Sequence, residues 1–395
     1  MIGFDEAVEL VRKTARPTGT ERIPLERAHR RVLAEPVIAQ IDAPRTDVSA
    51  MDGYAVRESD LVELPARLRI AGRSYAGSGY GRGLSDGECV RIFTGAPVPP
   101  DADRVVIQEN VRAEGDVAVF ESALGPARHI RHAASDFACG DTLLEAGRVL
   151  DSRAIVAVAA ADLSEVEVYR APRVAILGTG DELVEPGRAR ESVDSIPESV
   201  SFGIAALAHS WGGKLVGRSR MGDDLGELER AAEAAVSQAE LVVVTGGASV
   251  GEKDFAKRMF EPLGLELIFS KVAIKPGKPV WLGRAGQTLV IGLPGNPTSA
   301  LVTGRLLLAP LVAGLCGRSI DEALRWRRLP LANELGGCGA RETFHRAGRD
   351  GDRVQMLSNQ DSSAQKSLAE ADVLVRQVPN APAQSAGSLV ETLDF

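Results

Sequence analysis

The stretch from Ala171 to about Ser319 constrains this chain most, because strand-like and helix-like segments alternate through it. Such alternation is the pattern of a parallel α/β sheet. It opens with Arg173 to Leu177 (RVAIL), which runs straight into the turn GTGDEL, 178 to 183. A helix is expected near 199 to 211, then the strand KLVGRSRM. Asp223 and Asp224 then precede a helix whose Leu225, Leu228, Ala232 and Val236 share a face. LVVVTGG follows, then a helix from Asp254 to Pro262 and strands near 265 to 272, 279 to 283 and 288 to 292. Asn296 is a good helix N-cap and Pro297 suits the first helical position, with SALVTGRLLLAPLVAGL as the apolar body.

The rest of the 395 residues must form further domains, at roughly 100 to 200 residues each. Residues 1 to 41 and 133 to 170 read as a helical N-terminal region, interrupted by an inserted β-rich domain at 42 to 132 whose short Val/Ile runs are broken by Gly, Pro and Asp. The α/β unit takes 171 to 319, and 320 to 395 reads as a small β domain. A net charge of −8 gives no general positive field for nucleic acid or an anionic membrane. The longest apolar runs, near 154 to 161 and 306 to 316, are about half the length of a membrane span, and Pro310 interrupts the second. No secretory signal is evident, so a cytoplasmic location is expected. Cys89, Cys139, Cys316 and Cys338 are too scattered for a zinc site, and His129 and His132 lack further ligands nearby.

Chemistry in such a sheet belongs at the carboxyl ends of the strands. GTGDEL supplies glycines and the carboxylates Asp181 and Glu182. TGGASVGEKDF, 245 to 255, can point the amides of Gly246, Gly247 and Gly251, with Ser249, at a phosphate, while Asp254 holds a cation or ribose. Only 8 of the 46 basic residues are lysine, yet Lys271, Lys275 and Lys278 cluster in KVAIKPGKP, which suggests that compact ammonium donors are wanted there. GLPGNPTSA places Pro294, Asn296 and Pro297 at a helix N-terminus suited to an anion, or to plain capping. In the inserted domain, Asp52 of SAMDGYAV and Thr94 of FTGAPVP stand in loops without periodicity. Together these groups suit a phosphorylated ligand whose charge is shared by a hard divalent cation, most plausibly Mg²⁺. Walker, GxGxxG and Ser-His-Asp patterns are absent.

SAMDGYAV, RIFTGAPVP, ILGTGDEL, TGGASVGEKDF, KVAIKPGKP and GLPGNPTSA, in this order, resemble the molybdopterin molybdenumtransferase family, called MoeA in bacteria and the E domain of gephyrin in animals. The resemblance implies a four-domain subunit with a molybdopterin-binding α/β domain and a C-terminal β-barrel-like domain. It also implies a homodimer with its site between subunits. The family inserts molybdate into adenylylated molybdopterin with Mg²⁺-dependent release of AMP. Carried over by position, the resemblance makes Asp52, Glu182, Asp254, Lys271 and Lys275 catalytic, with Glu182 and Asp254 as the Mg²⁺ ligands. Thr94, Asp136, Asp223, Lys278, Pro294 and Pro297, and also Arg131, Arg341 and Ser362, would bind substrate. A molybdopterin adenylyltransferase and recipient molybdoenzymes would be its partners.

Three segments depart from the family pattern. Val200 stands where an asparagine is usual, Ala134-Ser135 replaces Gly-Glu before Asp136, and Asp361 replaces the glycine before Ser362. Valine can make no polar contact, and a carboxylate at 361 would oppose a nearby oxyanion. The alternative to an insertase is therefore a non-catalytic paralogue that holds molybdopterin or molybdenum cofactor as a carrier or sensor.

Overall fold

The computed structural model describes residues 1–246 and 255–395. Its centre is a six-stranded sheet in the order Lys214–Met221, Arg173–Thr179, Leu241–Thr245, Thr288–Leu293, Trp281–Ala285, Glu266–Phe269. The first four strands are mutually parallel, as the alternation predicts, and Trp281–Ala285 runs antiparallel to both of its neighbours, Thr288–Leu293 and Glu266–Phe269. The sheet is therefore mixed, because no helix separates Trp281–Ala285 from Thr288–Leu293. Only Gly286 and Gln287 join them, with Gly286 at φ +60, and a two-residue loop can connect only antiparallel neighbours.

Leu241–Thr245 and Thr288–Leu293 are buried along their whole length, since both faces of the sheet are covered. Ile176, Val243 and Ile291 pack on one side with Ile204 and the long helix 297–315, whereas Leu177, Val242, Val244 and Val290 pack on the other against Leu228 and Ala232. This is the period-two alternation of a pleated strand applied to two apolar layers.

The long helix, Pro297–Leu315, is the one helix among the described residues with the length and apolarity to cross a membrane, yet 94% of its apolar window is buried inside the protein. Pro310 does not break it, as the expected apolar body of this helix implies. A π-turn at Gly304–Leu308 shifts the hydrogen-bond ladder just ahead of a residue that has no N–H to donate.

The helical reading of 1 to 41 and 133 to 170 needs correcting. Only Phe4–Thr14 and Ser152–Ala160 are α-helical, and Thr20–Pro24 pairs antiparallel with Glu165–Tyr169, as does Val37–Ile38 with Thr142–Leu144. Ile23, Val166 and Val168 alternate along these strands to meet Ala154 and Val158 of the second helix. The first helix belongs elsewhere. Phe4, Val8 and Val11 enter the core beside the central sheet, and Phe4 packs on Phe344 with ring centroids 5.0 Å apart.

Between these segments lies a second six-stranded sheet, in the order Arg104–Ile107, Gly53–Val56, Glu88–Ile92, Ala66–Ser74, Val117–Phe120, Val111–Glu114, with its own core around Tyr54, Cys89 and Phe120. At the C-terminal end, Glu342–Asp350 pairs with Val373–Gln377 and, in parallel, with the short strand Ile274–Lys275. One strand thus fastens the last region to the lysine-bearing segment of the central unit.

Gly292 faces Trp281 across the hairpin, and a Cβ there would lie 1.9 Å from the indole nitrogen. Since Trp281 is fully buried, Gly292→Ala should destabilise the protein by about 2 kcal/mol through overpacking, read as a lower urea midpoint. An unchanged midpoint would show that the indole can move aside.

Candidate active site

Glycine directly follows three of the four parallel strands, at Gly180, Gly222 and Gly246. Gly246 adopts φ +91, and a Cβ on it would lie 2.3 Å from the Thr179 carbonyl oxygen, so only glycine lets the ends of Arg173–Thr179 and Leu241–Thr245 approach so closely. Above them opens a cavity of about 810 Å³. Thr179, Gly180 and Glu182 line it from the first loop and Asp223 from the second. Thr245 and Gly246 contribute from the third strand, and Pro294, Asn296 and Pro297 from the fourth. The predicted Glu182, Asp223, Gly246, Pro294 and Pro297 are thus brought together.

Glu182 is exposed, and its carboxylate has no hydrogen-bond partner among the described residues, although its main-chain carbonyl accepts from the Ile196 N–H at 2.8 Å. Asp223 is positioned by its neighbour loop, since its N–H donates to Asp181 Oδ1 at 2.8 Å. The predicted Gly247, Ser249, Gly251 and Asp254 lie outside the described residues.

The opposite wall comes from the C-terminal region. Asn296 occupies the N-cap position of the long helix, but its side chain makes no capping bond. Its Nδ2 donates instead to Ser362 Oγ at 2.9 Å, and the Thr298 N–H donates to the Ser362 carbonyl at 3.2 Å. Ser363 and Gln365 line the cavity beside them. The expected cap is therefore a tether that brings the predicted Ser362 to a helix N-terminus, where amides favour an anion.

Lys271, Lys275 and Lys278 are exposed and have no acceptor or ion-pair partner among the described residues. They are not in the cavity lining. They sit on the segment that reaches it at Pro279, and Gly277 at φ +105 lets that segment press on Thr303 of the long helix. Arg341 joins them, donating Nη1 to the Ile274 carbonyl at 3.4 Å.

The remaining predicted residues lie apart from the cavity. Asp52 Oδ1 accepts from both the N–H and the hydroxyl of Thr94, at 2.7 and 2.8 Å, at the ends of two interior strands of the inserted sheet. These bonds, the backbone one first, hold the Asp52 carboxyl below its ordinary pKa. Arg131 pairs with Val48 in a short ladder, and the Asp136 N–H donates to the Ala43 carbonyl. His132 Nδ1 meets Asp47 at 2.9 Å, and no cluster of three metal-ligating side chains occurs among the described residues.

Two of the lining residues that escaped the sequence reading carry buried polar groups. Thr179 has a buried hydroxyl without a partner among the described residues, an arrangement that costs roughly 1 to 3 kcal/mol and that a polar ligand would relieve. A hydroxyl ending an apolar strand just before a glycine was its only signal. Glu198 is 2% exposed and caps the helix Val200–Ser210 by accepting from the Ser201 N–H at 2.8 Å and from the Ser201 hydroxyl, while Arg218 donates to it at 3.2 Å. A carboxylate just before a helix start could have revealed it. Val200 beside it packs into the apolar core and offers the cavity only methyl groups.

Thr94→Val, which keeps the N–H but removes the hydroxyl donor, should raise the Asp52 pKa towards the ordinary aspartate value in an NMR titration. An unmoved pKa would leave the backbone amide, with the nearby Arg91 charge, as the cause.

Residues 2–161 match the model of the MoeA N-terminal region (domain I and II), and residues 175–314 match that of a probable molybdopterin binding domain. The molybdopterin molybdenumtransferase of Haemophilus influenzae is 39% identical over 332 residues, covering 84% of this chain and 80% of the relative. That of a Nostoc species is 33% identical over 348 residues, covering 85% and 78%. A solved structure of the molybdopterin biosynthesis MoeA protein from Pyrococcus horikosii superimposes with a TM-score of 0.85 at 28% identity, over 100% of this chain and 99% of that one. By sequence over most of its length and by fold over all of it, the chain belongs to the molybdopterin molybdenumtransferase (MoeA) family.

Proposed function

We propose that the protein inserts molybdenum from molybdate into adenylylated molybdopterin and releases AMP. The observation that carries this reading is the two-sided cavity. The carboxylates of Glu182 and Asp223 stand on one wall and the Ser362-tethered helix N-terminus on the other, with exposed lysines on the adjoining segment. A nucleotide-bearing pterin is large and anionic, and a cavity of about 810 Å³ has room for a ligand of that class. The orphaned Thr179 hydroxyl supports a polar occupant.

The donor set at the first wall is all oxygen, which suits Mg²⁺, and Glu182 together with Asp254 would hold it. When bound, the ion would screen the phosphoanhydride charge. The chain's own part is to orient and to offset charge. Lys271 and Lys275 draw in the molybdate dianion and stabilise charge that develops as the phosphoanhydride breaks, with Lys278 and Arg341 adding to the same field. By the family resemblance, Gly246 would offer its amide to the phosphate, with Gly247, Ser249 and Gly251 as further ligands. Exclusion of water falls to the apolar part of the wall, to which Leu183, Ile196, Pro197 and Val200 contribute.

Asp52 and Thr94 are absent from the cavity lining of their own chain. In a homodimer the partner subunit would supply this pair, with Arg131 and Asp136, to complete the site. An adenylyltransferase acting on molybdopterin would deliver the substrate, and molybdenum-dependent enzymes would receive the product.

Purified protein with Mg²⁺ should release AMP from adenylylated molybdopterin only when molybdate is added. Ligand binding without release would favour the carrier or sensor alternative, and release that ignores molybdate would indicate an unrelated hydrolase. For the shared site, Asp52→Ala and Lys275→Ala should each lose most activity. Mixing the two after dissociation should restore about a quarter of the wild-type rate, since half the dimers then hold one intact site. No recovery in demonstrably mixed dimers would place both residues in one subunit's site.

A further inference from the structure

The end of the inserted sheet that carries Asp52 and Thr94 also carries a pair of stacked rings. Ile107, Gly53, Ile92 and Ser74 form one row across four neighbouring strands. The next residues, Gln108, Asp52, Phe93 and Tyr75, therefore stand side by side where those strands stop. Tyr75 and Phe93 stack with ring centroids 4.8 Å apart and planes 8° apart. The Arg91 guanidinium lies over Phe93 at 4.9 Å and over Tyr54 at 5.1 Å, which joins the pair to the body of the sheet. Tyr54 is 6% exposed and Tyr75 is 43% exposed, so the series opens to solvent at Tyr75. Neither Tyr75 nor Phe93 belongs to the apolar clusters that close the two faces of this sheet.

An exposed ring that serves no core is nonetheless held in place. Tyr75 and Ser78 exchange N–H to carbonyl bonds at 3.0 and 2.9 Å, and the Phe93 N–H donates to the Ser74 carbonyl at 3.2 Å. Arg73 Nη1 donates to the Tyr75 hydroxyl at 3.4 Å, and Arg91 Nη1 to the Gly53 carbonyl at 2.9 Å. A ring fixed before a ligand arrives loses little freedom when one binds. Beside it, Asp52 spends only Oδ1 on Thr94, and Oδ2 has no hydrogen-bond partner among the described residues. A flat aromatic face next to an open carboxylate oxygen fits a planar nitrogen heterocycle that bears an amino group. The heterocycle stacks on the ring, and its amino N–H donates to the carboxylate.

We propose that Tyr75, backed by Phe93, is a stacking platform for an amino-bearing ring of the adenylylated substrate held in the partner subunit's cavity, with Asp52 Oδ2 as acceptor for the amino group. This deepens the insertase reading and rests on it: the substrate carries two such rings, an adenine and a pterin, and the platform is absent from the cavity of its own chain.

The test uses the full chain, with AMP and neopterin as separate probes in calorimetric titrations. Tyr75→Ala should weaken one of the two about tenfold. Tyr75→Phe should leave that affinity within about twofold of wild type, because stacking needs the ring and not the hydroxyl. A loss confined to AMP assigns the platform to adenine, and a loss confined to neopterin assigns it to the pterin. Unchanged affinity for both probes in Tyr75→Ala, an equal loss in Tyr75→Phe, or no binding of either probe by the wild type would overturn the proposal. Tyr75→Ala should also sediment as the wild type does, and a change of oligomeric state would make Tyr75 a subunit contact instead. In steady-state AMP release, Tyr75→Ala should raise KM for adenylylated molybdopterin about tenfold and leave KM for molybdate within about twofold, and both rising together would count against a ring subsite. A wild type that binds a probe yet releases no AMP fails the insertase reading alone, and the titrations still decide the platform.

Discussion

A sheet buried on both faces leaves a ligand nowhere to bind except at the ends of its strands, and the rest of the molecule follows from that constraint. Leu241–Thr245 and Thr288–Leu293 have apolar layers above and below, so no face is open to water. Only the carboxyl ends remain, where glycines let neighbouring strands end close together and the helix at 297 begins. The C-terminal strands are recruited to that end. Ile274–Lys275 pairs with Glu342–Asp350, and this one ladder carries Lys275, Arg341 and Arg346 into the neighbourhood of the cavity.

Charge around the cavity is sorted by burial. The buried ions are held in full networks: Glu198 by Ser201 and Arg218, Arg346 by three carbonyls and a hydroxyl. Such groups must be satisfied internally, because an uncompensated buried charge costs several kcal/mol. The exposed lysines and Glu182 carry no such obligation and have no partner among the described residues. A site that must accept an anion beside a cation keeps its working charges at the surface, where water can stand in for the ligand, and puts its structural charges inside.

Much of this was legible in the sequence because it is local. The run Leu241 to Val244 with Gly246 behind it announces a buried strand and its turn, and the Asn-Pro pair at 296 announces a helix start. What sequence could not show was which partner each group would choose across the fold. Asn296 reads as a cap by composition, yet it gives its amide to Ser362, 66 residues away. Arg346 looks like one more arginine in a β run, since nothing local distinguishes a buried fork from a solvated one. The N-terminal segment misled for a related reason. The apolar spacing of 4 to 14 is truly helical, but beyond it short alternating runs such as Val166 and Val168 find strand partners far away in the sequence, at Ile23 and Glu21, and tertiary pairing decides the outcome.

The placement of the first helix has a further consequence for how the protein is made. Ile2 bridges to Val272, with its N–H on the Lys271 carbonyl, so it braces the segment that carries the lysines. Asp5 accepts from Arg376 at 2.8 Å, and Phe4 shares its core with Phe344, Leu374 and Leu393. During synthesis, the residues of this helix leave the ribosome long before the strands that will bury them. The inserted sheet, with a core of its own, can close in the interval. The apolar face of Phe4, Val8 and Val11 therefore stays uncovered through most of translation, and the lysine segment gains its brace only when the strands around Phe344 and Leu374 have emerged.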